Sequence, residues 1–566
     1  MPDLPPFILL YLGALLVALA PSRLGRLRAS ITVITPLIAA VYLFTVPAGA
    51  HLRIDWLGHA LTPLRVDRLS LLFGYLFLIA AFTGAIYAWH VRARAQQVAG
   101  MLYAGSALGA VFAGDWLTLF VFWEMLAVSS VFLIIGRGTS RAYHAGMRYL
   151  LIQVLSGVLL FAGAALLLVD NGDLTFTAMQ LDSPGAALVF VAFGVKCAFP
   201  LLHNWLTDAY PEATPSGTVF LSAFSTKVAV YALARGFPGV ELLIYIGAVM
   251  TCFPIFYAVI ENDLRRVLAY SIINQVGFMV VGIGIGTGLA INGAVAHAFS
   301  HVLYKSLLMM SMGAVLERTG RINGSDLGGL YKCMPKTAVL CIIGAASISA
   351  FPLFSGFVSK SMVMSASLKQ GYDWVWLMLL FASAGVFHHA GIKIPFFAFF
   401  AHDAGIKCKE APAHMLIAMT IAAAFCIGIG IRPEGLYNLL PFDVDYSAYH
   451  AGHVIAQLQL LMFSALAFVW LKLSGIYPPE LPSVNLDAEY GYRKLAPAVA
   501  MRIASRVQAI DRAMRRRLID ISIAALQTAH RLHRIDAIDA HARLSGKMVA
   551  VALLVFCAAL VFYYWV

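Results

Sequence analysis

The chain has 566 residues, 61% of them hydrophobic and only 12% charged, with a mean hydropathy of +0.82. Soluble proteins carry about 25% charged residues, so a soluble globular fold is excluded and an all-α, polytopic membrane protein is expected. The net charge of +12 would suit nucleic acid, but the basic residues follow membrane topology instead, and no nucleic-acid partner is expected.

The first apolar run, 7–21, has no basic stretch before it and reads as a first span, not a cleaved signal. A span takes about 20 apolar residues. Further windows fall at 29–49, 69–89, 97–114, 116–136, 146–169, 185–201, 216–235, 240–260, 266–286, 290–316, 335–368, 373–401, 413–431, 453–474 and 547–566, about sixteen in all. The 335–368 window is broken at Pro352 and Gly356. Arg23, Arg26 and Arg28, then Arg92 and Arg94, Arg137 and Arg141, Arg265 and Arg266, Arg318, Arg321, Lys332 and Lys336, and Lys407 and Lys409 fall in alternate loops. The other loops carry Asp170, Asp173, Asp182, Glu434, Asp443 and Asp445, with 50–68 the exception. By the positive-inside rule the basic loops are cytoplasmic and both termini face outward.

Several windows contain groups that do not belong in oil. An ionisable side chain at bilayer depth costs about 2.5–3.5 kcal/mol or more unless paired or wetted. Glu124 interrupts the fifth window, Lys196 the seventh and Lys227 the eighth. Glu124 is the natural partner of Lys196: pairing would hold the proton on the lysine, and separation would release it, which makes a gate. The bland alternative for Glu124 is a carboxylate hydrogen-bonded to a neighbouring helix; for Lys227 it is snorkelling. His297, His301 and Lys305 recur every four residues and share one helix face. They suit a proton relay, satisfied core histidines, or a metal, although no third ligand is near. Lys360 follows the Pro/Gly break, where exposed backbone demands water or burial, and is a candidate terminal proton site. Lys393 lies beside Pro395 with His388 and His389 near, and reads as a path residue or an anchor.

Residues 476–546 form a polar, Pro-containing linker followed, from about Val499 to Leu544, by an amphipathic stretch. Ile503, Val507, Ile510, Met514, Leu518 and Ile521 follow helical spacing with Arg506, Arg512, Arg515 and Arg516 between them. At about 1.5 Å per residue this is a rod of roughly 70 Å. It is either an interfacial helix on lipid or a lateral brace along neighbouring subunits.

A faint internal repeat is also present. Lys196 and Lys360 are 164 residues apart, and Lys227 and Lys393 are 166 apart. Units of five spans would be inverted relative to each other, and paired broken helices point to an ion path. The organisation expected is 1–95 (spans 1–3), 96–236 (first repeat), 237–402 (second, inverted repeat), 403–475 (spans 14 and 15), 476–546 (linker and lateral helix) and 547–566 (final span). Seven cysteines make no CxxC or CxxH pattern, and neither a Walker A motif nor a strand–helix GxGxxG occurs. No cofactor or metal is expected.

The segments DWLTLFVFWEMLAVSSVFLI, KCAFPLLHNWLTDAYPEATPSGTVFLSAFSTKVAVYAL, ENDLRRVLAYSIINQVGFM, AHAFSHVLYKSLLMM and FPLFSGFVSK resemble the antiporter-like subunits shared by respiratory complex I, membrane-bound hydrogenases and Mrp cation/proton antiporters. The resemblance covers about 65–430, and VNLDAEYGYRK is similar to the tail of the D-type Mrp proteins. It implies two inverted five-helix repeats, broken helices 7 and 12, and a proton path along a central hydrophilic axis. It places Glu124 at the gating glutamate, Lys196 at its partner lysine, Lys227 at the connecting lysine, His301 and Lys305 in the central relay, and Lys360 at the far-half lysine. GIKIPFF departs from the family pattern around Lys393. The rod resembles the lateral helix of the largest complex I antiporter-like subunit, whereas the D-type member of typical Mrp complexes is shorter here.

The function expected is therefore proton translocation in a multisubunit Mrp-like Na+/proton antiporter of the bacterial inner membrane. Protons, Na+ or another monovalent cation, the bilayer and other membrane subunits are its partners. The alternatives are a proton-pumping membrane subunit of a complex I-like or hydrogenase-like redox complex and a subunit coupling the proton-motive force to inorganic carbon uptake. In each case the chain is an ion-transport subunit and not an enzyme by itself.

Overall fold

A computed structural model describes residues 4–21, 23–482, 485–532 and 545–565. The chain is almost entirely helical. In order, α1 (Pro6–Leu19), α2 (Gly25–Leu43), α3 (Arg68–Tyr87), α4 (Arg94–Phe112), α5 (Trp116–Ile135) and α6 (Ser140–Asn171) precede a first interrupted region. That region comprises α7 (Pro184–Cys197), α8 (Asn204–Ala209), α9 (Pro215–Ala223) and α10 (Ser225–Gly236). The middle of the chain is α11 (Leu242–Ile260), α12 (Leu264–Ile285) and α13 (Gly288–Thr319). A second interrupted region follows: α14 (Pro335–Ile348), α15 (Ser355–Lys369), α16 (Asp373–Val386) and the short α17 (Lys393–Pro395). Then come α18 (Ala413–Ile431), α19 (Glu434–Tyr437), α20 (Ala451–Leu473), α21 (Ala496–Leu532) and α22 (Ser545–Trp565). Two small antiparallel ribbons in 49–66, Gly49–Ala50 with Arg65–Val66 and Ile54–Trp56 with His59–Leu61, are the sheet found among the described residues.

The helices begin and end where local chemistry directs. Asp67 caps α3 in a reciprocal box with Ser70, Asp115 accepts from the Thr118 amide at the head of α5, and Thr139, Ser183, Thr214, Asp263 and Thr287 cap α6, α7, α9, α12 and α13. Gly172, Gly286 and Gly320 close α6, α12 and α13 in the left-handed conformation.

Twelve described helices are long and apolar enough to cross a membrane. Three more apolar helices, α1, α7 and α14, have 14 residues each and fall short of a span on their own. Helix α4 fills the 97–114 window with 19 residues, but Gln96, Gln97 and its three glycines make it less apolar than most of the other spans. The sixteen windows and the twelve qualifying helices differ for this reason: broken and small-residue helices carry less apolar length than their windows suggest.

Burial locates the core. The α12 and α13 windows are each 94% buried and the α9–α10 window is fully buried, whereas the α20 window is 17% buried. Helix α13 packs against α3, α9, α12, α14, α15 and α18, so it is the axle of the bundle. Residues 4–485 and 486–565 form two separate compact units. In the second, α21 runs 37 residues, about 55 Å. Its Ile503, Val507, Ile510, Met514, Leu518 and Ile521 are all exposed within that unit. The remainder of the expected rod, 533–544, lies outside the described residues.

Candidate functional site

The two interrupted regions break in the same way. Helix α7 ends at Cys197 and α14 at Ile348, and each is followed closely by the tetrapeptide Ala-Phe-Pro-Leu, at 198–201 and 350–353. In both copies the alanine and the leucine are left-handed, with φ of 63° and 69° in the first and 57° and 75° in the second. Proline cannot donate an amide or continue the helix, and a non-glycine residue at positive φ costs of order 1–3 kcal/mol. Carbonyls at these helix ends are left free to meet side chains.

Lysines take such carbonyls. Lys360, on α15 and 2% exposed, donates to the carbonyl of Ile348, the last residue of α14, at 2.8 Å. Lys227, fully buried, donates to the carbonyl of Ser222 at 2.8 Å and to Thr226 Oγ1 at 3.1 Å. Ser222 lies at the end of α9, where Phe224 (φ −101°, ψ −69°) interrupts the expected eighth span, a discontinuity that the hydropathy windows do not contain. Lys393, also fully buried, donates to the carbonyls of Val259 (2.6 Å) and Glu261 (2.7 Å) at the end of α11. A cation is favoured at a helix C-terminus by the free carbonyls and the helix dipole.

Lys196 is seated differently. It is fully buried, donates to the Trp123 carbonyl at 2.9 Å, and lies 4.5 Å from the centre of the Trp123 ring. Trp123 Nε1 donates to Ser156 Oγ (2.9 Å), which in turn donates to the Ala192 carbonyl (2.7 Å), so α5, α6 and α7 are tied together at this point. The neighbouring residue on α5, Glu124, lies within electrostatic reach of Lys196, but its buried Oε1 makes no hydrogen bond. That oxygen rests in a notch on α6 made by Gly157, where a Cβ would overlap it. The expected partners are thus neighbours, with the lysine on a backbone oxygen.

The central group is gathered on α13. His297 Nδ1 is 3.0 Å from Ser359 Oγ on α15, and its Nε2 is 3.4 Å from the Tyr304 hydroxyl, which donates to Gln275 Oε1 at 3.0 Å. His301 is fully buried with no hydrogen bond on either ring nitrogen, its ring centre 6.3 Å from that of His297 and 5.3 Å from that of Tyr304. Lys305 donates to Ser271 Oγ on α12 at 2.9 Å. Lys227, Lys305 and Lys360 all come close enough for their charges to act on His301. The fold therefore brings Lys227, His297, His301, Lys305 and Lys360 into one buried cluster, with Glu124 and Lys196 in the preceding half.

Lys393 is set apart from that cluster by His389, and it has a partner that the sequence does not single out: Glu480, 2.8 Å away as a buried ion pair. Two π-helical turns, Phe387–Ile392 and Phe396–Phe400, flank α17 here, a feature frequent at functional sites. Arg265, counted from sequence as a loop charge, is 1% exposed and donates to the Ala213 carbonyl at 2.8 Å and to the Thr218 hydroxyl. It bolts α12 to the head of α9. Among the described residues no group of three or more His, Cys, Asp or Glu side chains is arranged to hold a metal.

The chain as a whole is similar to known proteins. A family model described as "NADH:quinone oxidoreductase/Mrp antiporter, TM" matches residues 113–427. Hydrogenase-4 component B of Escherichia coli is 27% identical over 487 residues, 76% of this chain and 72% of that protein. The D-type subunit of the Na(+)/H(+) antiporter of Alkalihalophilus pseudofirmus is 29% identical over 478 residues, 78% of this chain and 96% of that protein. Among solved structures, a chain of the Mrp complex from Dietzia sp. superposes with a TM-score of 0.76 at 24% identity, over 98% of this chain and 66% of that one.

Proposed function

Because the chain belongs to the NADH:quinone oxidoreductase/Mrp antiporter transmembrane family, we propose that it is the proton-translocating subunit of a multisubunit Mrp-like antiporter. It exchanges protons for Na+ or another monovalent cation. The observation that carries this reading is the line of ionisable groups formed by half-buried Glu124 and buried Lys196, Lys227, His297, His301, Lys305 and Lys360, running through otherwise apolar helices. Such groups are retained at bilayer depth for ion or proton movement. In this reading Lys196 moves between the Trp123 carbonyl and the Glu124 carboxylate, which gates entry. Lys227 connects the halves, His297, His301 and Lys305 relay, and Lys360 serves the far half. Lys393 ends a branch.

The twin Ala-Phe-Pro-Leu breaks support the division into repeats at 96–236 and 237–402, flanked by 1–95, 403–475, 476–546 and 547–566. The alternating basic loops support a bacterial inner membrane placement with both termini outside. The exposed apolar stripe of α21 suits a brace against other membrane subunits.

Likeness to hydrogenase-4 component B favours a second reading, the proton-pumping membrane arm of a redox complex. Everted vesicles carrying the chain with its genomic neighbours separate the two. Collapse of the proton gradient on adding Na+ or K+, lost in Lys196→Ala, is the expected result. Pumping only when a reductant is supplied, with no cation response, would place the chain in a redox arm instead.

A further inference from the structure

Glu480 lies in the segment that follows α20, outside the 113–427 family match, yet its side chain is only 6% exposed. Its Oε1 is 2.8 Å from Lys393 Nζ, and its Oε2 faces the backbone at Gly324, where a Cβ would stand 3.4 Å away. The other nearby carboxylate is already engaged. Glu261 accepts from the amides of Asn262 and Asp263 (3.0 Å each) and from Asn485 Nδ2 (3.1 Å), with Arg266 at 3.9 Å. Tyr477, Phe397 and Phe468 form an apolar cover, with His388 stacked on Tyr477 at 5.5 Å. Lys472 lies over Phe397 and Tyr477 at 5.2 and 5.5 Å from the ring centres. The charged and titratable groups facing Glu480 are thus Lys393, Lys472, Glu261 and Tyr477.

On the inner side, His389 is fully buried, with the Gly385 carbonyl one turn back within reach of its ring and no side-chain partner on either nitrogen. Both Lys305 and Lys393 lie within electrostatic reach of it. An imidazole within reach of two buried amines, with a ring nitrogen left open, can take a proton from one and pass it to the other.

The geometry points to a second leg of the proton path, in which His389 carries protons between Lys305 and Lys393 and Glu480 exchanges them with water at the linker. The balance is simple. Lys393 gives an N–H proton to a Glu480 oxygen, leaving a neutral amine and a neutral acid. The acid releases that proton to water, and His389 returns one to the amine. Burial raises the Glu480 carboxyl above its ordinary value and Lys393 opposes that rise, so the acid form is within reach. This leg deepens the antiporter-family reading above and rests on it.

The test uses the full assembly in everted vesicles. Glu480→Gln and His389→Phe are each expected to cut proton flux by at least about tenfold, with complex size on a native gel unchanged. Glu480→Asp should retain part of the flux. The double variant K393M/E480L refills the site without charge and should stay as slow as E480Q. Wild-type flux in E480Q, or recovered flux in the apolar double variant, would reduce the pair to a strap and overturn the proposal. A wild type with no flux that Lys196→Ala abolishes would overturn the underlying reading, and the second leg with it.

Discussion

Lys227, Lys360 and Lys393 each rest on a carbonyl at or near the end of a helix. A hydrogen bond from a charged donor contributes about 1.5–3 kcal/mol, whereas desolvating an ammonium costs several kcal/mol. The seats offset only part of the cost, and an incompletely compensated charge stays exchangeable. Glu124 depends on a seat of another kind, the notch at Gly157. Gly157→Ala should favour the helix by about 1 kcal/mol while driving the Glu124 carboxylate out of place. Proton flux is expected to fall by up to about a hundredfold, with expression unchanged and part of the flux regained on adding Glu124→Asp. Wild-type flux in G157A would show that the carboxylate works from elsewhere. The ionisable residues proposed to gate and relay are legible in sequence as residues, because a charge in an apolar window stands out; their roles are the proposal made above. Gly157 is not, since a missing Cβ leaves no mark in a pattern. Nor is Glu480, which looks ordinary in a polar linker and lies 87 residues from Lys393.

Among the elements, the long continuous helices are the easiest to read and the interruptions the hardest. Pro352 and Gly356 mark the α14–α15 break. Nothing comparable marks Phe224, because a break without proline or glycine depends on tertiary packing. The matching tetrapeptides at 198–201 and 350–353 are visible as letters, but their shared left-handed turns become evident only with backbone angles. The cap of α3 gives a pH test. Burial disfavours the Asp67 carboxylate, but Arg235 at 2.6 Å, the Ser70 amide and Arg65 outweigh it and hold the carboxyl below its usual range. A depressed folded value means that the cap's contribution is present above the unfolded pKa of about 3.9 and is lost as pH falls below it. Thermal stability in detergent should therefore drop more steeply between about pH 5 and 3 in the wild type than in Asp67→Asn. Parallel curves would remove Asp67 from the acid response.

For the molecule as a whole, composition settles the class, and loop charges are the basis of the proposed orientation. One of those charges, Arg265, is structural, while Arg137, Arg141 and Arg266 gather around Glu212 beside it. The rod is read from periodicity alone, and α21 carries that stripe over its described length. Removing 499–544 should shrink the assembly on a native gel while each remaining helix still inserts. An assembly of unchanged size would refute the brace.

The line from half-buried Glu124 to buried Lys360 also has a sign. It holds four lysines, Lys196, Lys227, Lys305 and Lys360, against a single carboxylate. A sodium ion entering that field meets more positive than negative groups and few oxygens to replace its hydration shell. A proton meets neither obstacle, since it travels by becoming part of an amine or an imidazole. If the line carries protons as proposed, its charge pattern favours carriage on amines and imidazoles over passage of a bare metal cation.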